Sequence, residues 1–86
     1  MTMLDLGNGN YVNALRVVAI ANPDSLPVRR LVQDGKDAGR VIDVSGKDKT
    51  RSVLITDSEH ILCCAEETNV LADRWNALSA EANNKK

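Results

Sequence analysis

The sequence predicts one small domain of the α+β class, with the element order β-β-α-β-β-β-α. Short runs of β-branched and aliphatic residues, bounded by turn-forming residues, predict the strands. Two stretches in which apolar residues recur at helical spacing predict the helices. A chain of 86 residues buries only a thin core, and a second copy can cover the remaining apolar surface. We therefore also predict a homo-oligomer.

The chain is predicted to begin with two strands. Residues 3–6 predict a short first strand, and residues 7–10, with the sequence GNGN, predict a turn because these residues tolerate positive φ. A second strand is predicted over about residues 11–21, which are rich in β-branched and aliphatic side chains. Residues 22–24 end it. Its expected core or interface residues are Val17, Val18 and Ile20.

A helix is predicted to follow directly. Ser25 can cap it, and Pro27 lies in the first turn, where its missing N–H costs nothing. Gly39 is a suitable C-terminal stop. The apolar face of this helix is expected to contain Val28, Leu31, Val32 and Gly35.

Three further strands and a second helix complete the predicted order. Strands are expected over residues 40–45, 51–56 and 59–65, and the Asp57-Ser58 pair suits a tight hairpin between the last two. Thr68 or Asn69 can begin the final helix. Its apolar residues at helical spacing are Leu71, Trp75, Leu78 and Ala82. The predicted domain covers residues 1–82, and residues 83–86 form a polar tail that is expected to fray.

Catalytic and metal-binding chemistry find little support in the sequence. His60 is the single histidine, and it supplies neither a metal cluster nor a catalytic triad. Cys63 and Cys64 are adjacent, fit no metal-ligand spacing and are expected to be reduced thiols on opposite faces of a strand. Residues 7–10 do not continue as a phosphate-binding loop. We predict no enzyme activity, no catalytic residue, no metal, no cofactor and no small-molecule substrate.

Targeting signals are also missing from the sequence pattern. No apolar stretch approaches the roughly 20 residues of a membrane-spanning helix, and residues 1–9 lack the layout of a signal peptide. The expected location is the cytoplasm, without a membrane partner.

Charge is distributed unevenly along the chain, although the formal net charge is only −1. Residues 16–51 carry eight basic and five acidic side chains, whereas residues 52–84 carry one basic and six acidic side chains. A basic surface on one side of the fold would produce such a pattern. Within the basic part, residues 47–51 (KDKTR) form a loop before a strand and could contact nucleic-acid phosphates, although basic loops are more often simply solvated.

Five segments, taken in this order and spacing, resemble the bacterial extracellular matrix regulator RemA family. They are GNGNYV at residues 7–12, RVVAI at 16–20, PDSLPVRR at 23–30, QDGKDAG at 33–39 and TRSVLITDSEH at 50–60. The resemblance covers about residues 4–70. It implies a small DNA-binding transcriptional regulator that assembles into ring-like homo-oligomers and activates matrix genes for biofilm formation.

The resemblance also implies positions for DNA contacts. Arg16 and Arg51 match DNA-contacting arginines of the family, and Lys49 stands in place of another. The family's helix-start proline is matched by Pro27, with a structural role, while Asp48 stands where family members tend to have arginine. The full set of candidate DNA-binding residues is Arg16, Arg29, Arg30, Lys47, Lys49 and Arg51. The alternative hypothesis is an oligomeric scaffold or protein-interaction module that keeps the fold but has no significant DNA affinity.

Overall fold

The computed structural model describes residues 2–84, and their side chains as far as Leu78. It contains six strands and two helices, which confirms the predicted α+β class. The strands are β1 (Met3–Gly7), β2 (Asn10–Asn13), β3 (Val17–Ala21), β4 (Val41–Asp43), β5 (Ser52–Thr56) and β6 (Ile61–Cys64). The helices are α1 (Leu26–Asp37) and α2 (Thr68–Asn84). Neither helix is long and apolar enough to cross a membrane.

The strands form two sheets. β1 and β2 make an antiparallel hairpin, and the other four strands form a sheet with the order β3-β5-β6-β4. β5 is antiparallel to both of its neighbours, whereas β4 runs parallel to β6. The turn of the β1–β2 hairpin uses positive φ at Gly7, Asn8 and Gly9, as the GNGN sequence predicts.

The predicted second strand is wrong in one respect, because it is two strands that belong to different sheets. A 3₁₀ turn over Ala14–Arg16 separates β2 from β3. The side chain of Asn13 caps this turn by accepting a hydrogen bond from the Leu15 N–H at 3.0 Å. The observed order is therefore β-β-β-α-β-β-β-α. The turn carries the chain from the hairpin into the larger sheet.

The hairpin between β5 and β6 is present, but its loop is longer than predicted. Glu59 adopts a left-handed φ of 65°, and the Thr56 carbonyl accepts a hydrogen bond from its N–H at 3.1 Å. This arrangement is typical of a three-residue hairpin loop. β6 begins at Ile61, so that His60 directly precedes the strand and does not lie within it as predicted. Its Nδ1 atom is 2.8 Å from Ser58 Oγ.

Helix α1 begins where the sequence predicts and packs closely on one face of the larger sheet. Ser25 Oγ accepts a hydrogen bond from the Val28 N–H, and Gly39 has a positive φ just beyond the helix. Gly35 is buried against the sheet. A Cβ atom at this position would lie 2.7 Å from Ile61 Cδ1 and 3.0 Å from Val41 Cγ2, so a larger residue would require these side chains to shift.

Helix α2 and the β1–β2 hairpin cover the opposite face of the sheet. Their core contains Leu4, Leu6, Ala14, Leu54, Leu62, Cys64 and Leu71. Trp75 packs against this core and donates a hydrogen bond from Nε1 to the Ala14 carbonyl at 3.2 Å, which confirms its predicted packing role. The two last residues of the predicted tail, Lys85 and Lys86, lie outside the described residues, as does the side chain of Ala82.

The adjacent cysteines point to opposite faces of β6, as predicted. Cys63 packs beneath α1, and Cys64 belongs to the core beneath α2. Burial raises the pKa of the Cys64 thiol from an ordinary value of 9.0 to about 12, and burial raises the pKa of Cys63 as well. Both thiols are therefore protonated at neutral pH.

We expect neither cysteine to react with a thiol reagent in the native protein, whereas both should react rapidly in denaturant. In the unfolded chain the thiols ionise near pH 9, while the folded chain retains their protons. The contribution of these thiols to stability should consequently be constant well below pH 9 and be lost as pH rises towards about 12. Urea unfolding at several pH values across this range measures the change in the free energy of unfolding. Rapid reaction of either cysteine in the native protein would contradict the burial of the two thiols.

Candidate nucleic-acid interface

The strand directions place most of the candidate basic residues at one end of the larger sheet. β3 ends where β5 begins, because Ala21 pairs with Val53, and β6 ends beside the start of β5, because Cys64 pairs with Ser52. β4 also ends there, since it runs parallel to β6. We call this the loop end, formed by residues 22–25, 44–51 and 65–67 and by the first two turns of α1, which begins there. The opposite end, formed by residues 14–16, 38–40 and 57–60, is the hairpin end.

Five of the six candidates lie at the loop end. Lys47 and Lys49 are in the loop after β4, and Arg51 directly precedes β5. Arg29 and Arg30 lie in the first two turns of α1, which starts from the same end after β3. The sixth candidate, the arginine at position 16, lies elsewhere.

Two neighbouring clefts bring several of these side chains close together. A polar cleft of about 290 Å³ is lined by Lys49 and Arg51, together with the turn at Gly7 and Asn8. A second cleft, of about 310 Å³, is lined by Arg29, Lys36 and Thr50, among others. The backbone between positions 49 and 51 therefore separates two surfaces that both carry basic groups.

The loop that carries these residues is fixed by hydrogen bonds. Asn8 donates from Nδ2 to the Ser45 carbonyl at 3.2 Å and thereby ties the β1–β2 turn to the loop. The Asp43 carboxylate accepts hydrogen bonds from the Ser45 hydroxyl and from the Ser45 N–H, and these bonds hold the pKa of Asp43 below its usual range. These hydrogen bonds hold the backbone of the loop in place, so its basic side chains would project from a largely fixed loop when a ligand binds.

Acidic side chains also reach the loop end. Arg51 forms an ion pair with Glu67, with 2.9 Å between Nη1 and Oε1, and about half of each side chain is exposed. Asp48 and Glu66 line the polar cleft. The other four basic candidates at this end have no carboxylate within ion-pair distance among the side chains that the structure describes. An exposed ion pair contributes at most about 1 kcal/mol, so a phosphate can compete with Glu67.

Arg16 lies at the hairpin end and is not brought together with the others in one protomer. Its Nε atom is 2.6 Å from Asp57 Oδ1, and its carbonyl accepts a hydrogen bond from the Asp57 N–H. Asp57 lies six residue steps from Arg51 along β5, which corresponds to roughly 20 Å in an extended strand.

Sequence reasoning missed the acidic partners of both family-matched arginines. Arg51 donates its backbone N–H to the Cys64 carbonyl, so the β5–β6 hairpin itself brings residues 65–67 beside it. Correct pairing of β5 with β6 in the sequence analysis would therefore have indicated that Glu67 lies near Arg51. Arg74 forms an ion pair with Glu66, with 2.6 Å between Nη2 and Oε2, and donates a hydrogen bond to the Asp5 carbonyl, which gives it a structural role.

No group of three or more potential metal ligands occurs among the described residues. The loop end instead carries several lysine and arginine side chains, which are spread over its surface and two open clefts. Such an arrangement is suited to a polyanion, because successive phosphates can be contacted by separate side chains.

Comparison with known proteins places the chain in a defined family. Relatives named "Putative regulatory protein" occur in Nitratidesulfovibrio vulgaris (strain DP4), with 49% identity over 73 residues, covering 85% of each chain. Others occur in Fervidobacterium nodosum, with 44% identity over 85% of this chain and 78% of the relative, and in Acetivibrio thermocellus, with 40% identity over 94% and 87%. The family model for extracellular matrix regulatory protein A-like proteins matches residues 3–75. The chain therefore belongs to the RemA-like family.

Proposed function

We propose that this protein is a transcriptional regulator that binds DNA, chiefly through contacts to the phosphate backbone. The observation that carries the proposal is the collection of five basic side chains at the loop end, four of them without an acidic partner among the described side chains. The regulatory names of the relatives support the same role. Extracellular matrix genes, as in the family's description, are the proposed targets, and the cytoplasm is the proposed location.

The proposed binding mode is electrostatic and largely independent of sequence. Lysine and arginine neutralise phosphates and release condensed counterions, so that affinity falls steeply with salt. Arg51 would exchange the Glu67 carboxylate for a phosphate oxygen. Arg29 and Lys49, on the two sides of Thr50, would contact neighbouring phosphates.

A single protomer has limited affinity under this proposal, because Asp48 and Glu66 oppose the basic groups in the polar cleft. Self-assembly compensates, since linked copies engage one DNA molecule together and gain avidity. A ring-like assembly, as the family resemblance implies, would repeat the loop end around its circumference.

The alternative function is that of an oligomeric scaffold. Its support is the net charge of −1 and the pairing of Arg16 and Arg51 with carboxylates. A scaffold would leave these ion pairs intact in its working state.

Titration of labelled double-stranded DNA at two salt concentrations decides between the two functions. The DNA-binding proposal expects saturable binding at low salt, with an affinity that falls strongly as salt rises. The oligomer size should be measured under the same conditions by light scattering. An assembled protein that does not bind DNA at low salt would favour the scaffold.

A further inference from the structure

Helix α1 does not cover the whole of its face of the larger sheet, and an open cleft remains beside it. This is the cleft of about 310 Å³ described above, and we call it the α1 cleft. The helix packs closely at Gly35, over Ile61 at the start of β6, whereas the cleft reaches Pro23 and Thr50 at the loop end. Small-molecule sites in proteins enclose about 300–1,000 Å³. The α1 cleft is therefore large enough for a small organic ligand.

Strand register gives the α1 cleft an apolar floor. Val53 pairs with Cys63 and Cys63 pairs with Asp43, so these side chains form a row across β5, β6 and β4 on one face of the sheet. Val53 and Cys63 are buried, while Val32 of the helix and Val41 of β4 are only partly buried. The apolar part of a ligand would remove the remaining surface of these two valines from water.

One wall of the α1 cleft is a polar row on the helix. Arg29, Gln33 and Lys36 lie at positions i, i+4 and i+7, and therefore along one side of α1. All three are exposed. Arg29 and Lys36 have no carboxylate within ion-pair distance among the side chains that the structure describes. The row thus presents two positive charges to the cleft.

The lining of the α1 cleft also includes the carboxylate of Asp43. Two hydrogen bonds from Ser45, and more weakly the charge of Lys36, hold the pKa of Asp43 below its usual range, so this carboxylate is ionised at neutral pH. The charges of Lys36 and Asp43 therefore partly offset each other. Arg29 is left as the strongest binding group for an anion.

The two other clefts differ in composition from the α1 cleft. The polar cleft at Lys49 and Arg51 also contains Asp48 and Glu66, so its positive and negative charges cancel. A groove of about 200 Å³ between β3 and α2 has no charged residue among the described side chains that line it. Of these three clefts, the α1 cleft alone combines an apolar floor with an excess of positive charge.

We propose that the α1 cleft binds a small organic anion, in which a carboxylate or phosphate group is attached to a short apolar chain. Arg29 would hold the acid group through two parallel N–H donors, which match two oxygen atoms of a carboxylate or a phosphate. The Thr50 hydroxyl, on the side of the cleft formed by the sheet, would donate a further hydrogen bond. The apolar chain would lie over Val32 and Val41.

Binding in the α1 cleft would weaken DNA binding, and this step rests on the proposed function. Arg29 is a candidate for phosphate contact, so an anion bound to it removes one contact. Thr50 stands between Lys49 and Arg51, and the bound negative charge would lie close to both. Coupling between two binding sites is reciprocal, so DNA should also weaken the binding of the anion. The organic anion would therefore be an effector that releases the regulator from DNA.

Equilibrium dialysis with octanoate tests the site in the absence of DNA. The purified protein should bind octanoate saturably, with one site per chain. Acetate should bind much more weakly, because each methylene group buried on the apolar floor raises the affinity roughly fourfold. Octanamide has the same chain length without the charge and should bind about tenfold more weakly or less. Octyl phosphate in place of octanoate shows which acid group the cleft prefers.

Replacement of Arg29 by alanine should lower the affinity for octanoate by about tenfold or more. The matched control is Arg30→Ala, since Arg30 is the next residue of α1, is also exposed and does not line the cleft. It should bind octanoate as tightly as the parent. Both positions are exposed, so both variants should give the circular dichroism spectrum of the parent. Equal losses from the two variants, equal binding of octanoate and octanamide, or no saturable binding of either acid would overturn the proposal.

A DNA titration with and without saturating octanoate separates the effector role from the proposed function. The affinity of the parent for DNA should fall by about fivefold or more, whereas octanamide should leave it unchanged. The DNA affinity of Arg29→Ala should no longer respond to octanoate. An unchanged DNA affinity of the parent at saturating octanoate would refute the effector role. A parent that binds octanoate but not DNA would refute the proposed function and support the anion site.

Discussion

Replacing Arg51 by alanine is expected to weaken binding to double-stranded DNA by about tenfold or more, since a hydrogen bond to a charged group contributes about 1.5–3 kcal/mol. The loss should be similar for unrelated DNA sequences, because the proposed contact is to phosphate. The slope of log affinity against log salt should also become shallower by about 0.9 for each contact removed. Binding isotherms at several salt concentrations measure both quantities.

Arg40 provides a matched control. It is an exposed arginine in an ion pair with Glu59, as Arg51 is with Glu67, but it lies at the hairpin end. Arg40→Ala should leave the affinity nearly unchanged. Equal losses from the two variants would show that only net charge matters and would contradict an interface at the loop end.

The complementary change is Glu67→Gln, which frees Arg51 without removing it. Its affinity for DNA should rise by several-fold at most, because an exposed ion pair contributes no more than about 1 kcal/mol. Glu59→Gln is the corresponding control at the hairpin end. A gain confined to Glu67→Gln would identify Glu67 as the group with which phosphate competes.

Truncating Leu54 to alanine is expected to destabilise the protein by about 2–5 kcal/mol, because it removes a fully buried side chain and leaves a cavity. Leu54 is 0% exposed and lies at the centre of β5, in contact with the core beneath α2. A domain of this length is stable by only about 4–13 kcal/mol, so much of the stability would be lost. Urea unfolding, followed by the fluorescence of Trp75, measures the change at fixed protein concentration.

Leu26→Ala is the control for this truncation. Leu26 begins α1 and is 60% exposed, so the same chemical change should alter the free energy of unfolding by no more than about 0.5 kcal/mol. If the two variants were equally destabilised, the core beneath α2 would not have the composition described above.

Local chemistry was sufficient to predict several elements from the sequence. The start of α1 follows from Ser25 and Pro27, and the β1–β2 turn follows from residues 7–10. Val28, Val32 and Gly35 of the predicted apolar face of α1 pack on the sheet, whereas the prediction is wrong for Leu31, which is 39% exposed. In each case the decisive residues lie within a few positions of the structure that they form.

The remaining features depend on contacts between distant parts of the chain. The split between β2 and β3 depends on the side-chain cap by Asn13, which strand propensity does not capture. The order β3-β5-β6-β4 cannot be read from local patterns, and neither can the antiparallel pairing of β3 with β5, which places Arg16 and Arg51 at opposite ends of the sheet. The sequence could therefore nominate the basic candidates, but it could not predict their distribution between the two ends of the sheet.

The strand order also has a consequence for synthesis on the ribosome. Within the larger sheet, β3 and β4 are made before the strands with which they pair, β5 and β6. At translation rates of about 5–20 residues per second, the stretch from Ala21 to Thr56 takes roughly 2–7 s to emerge. During that interval the apolar β3 segment lacks β5, the strand with which it pairs. Emergence of β5 therefore ends the period in which both edges of this apolar segment are unpaired in the newly made chain.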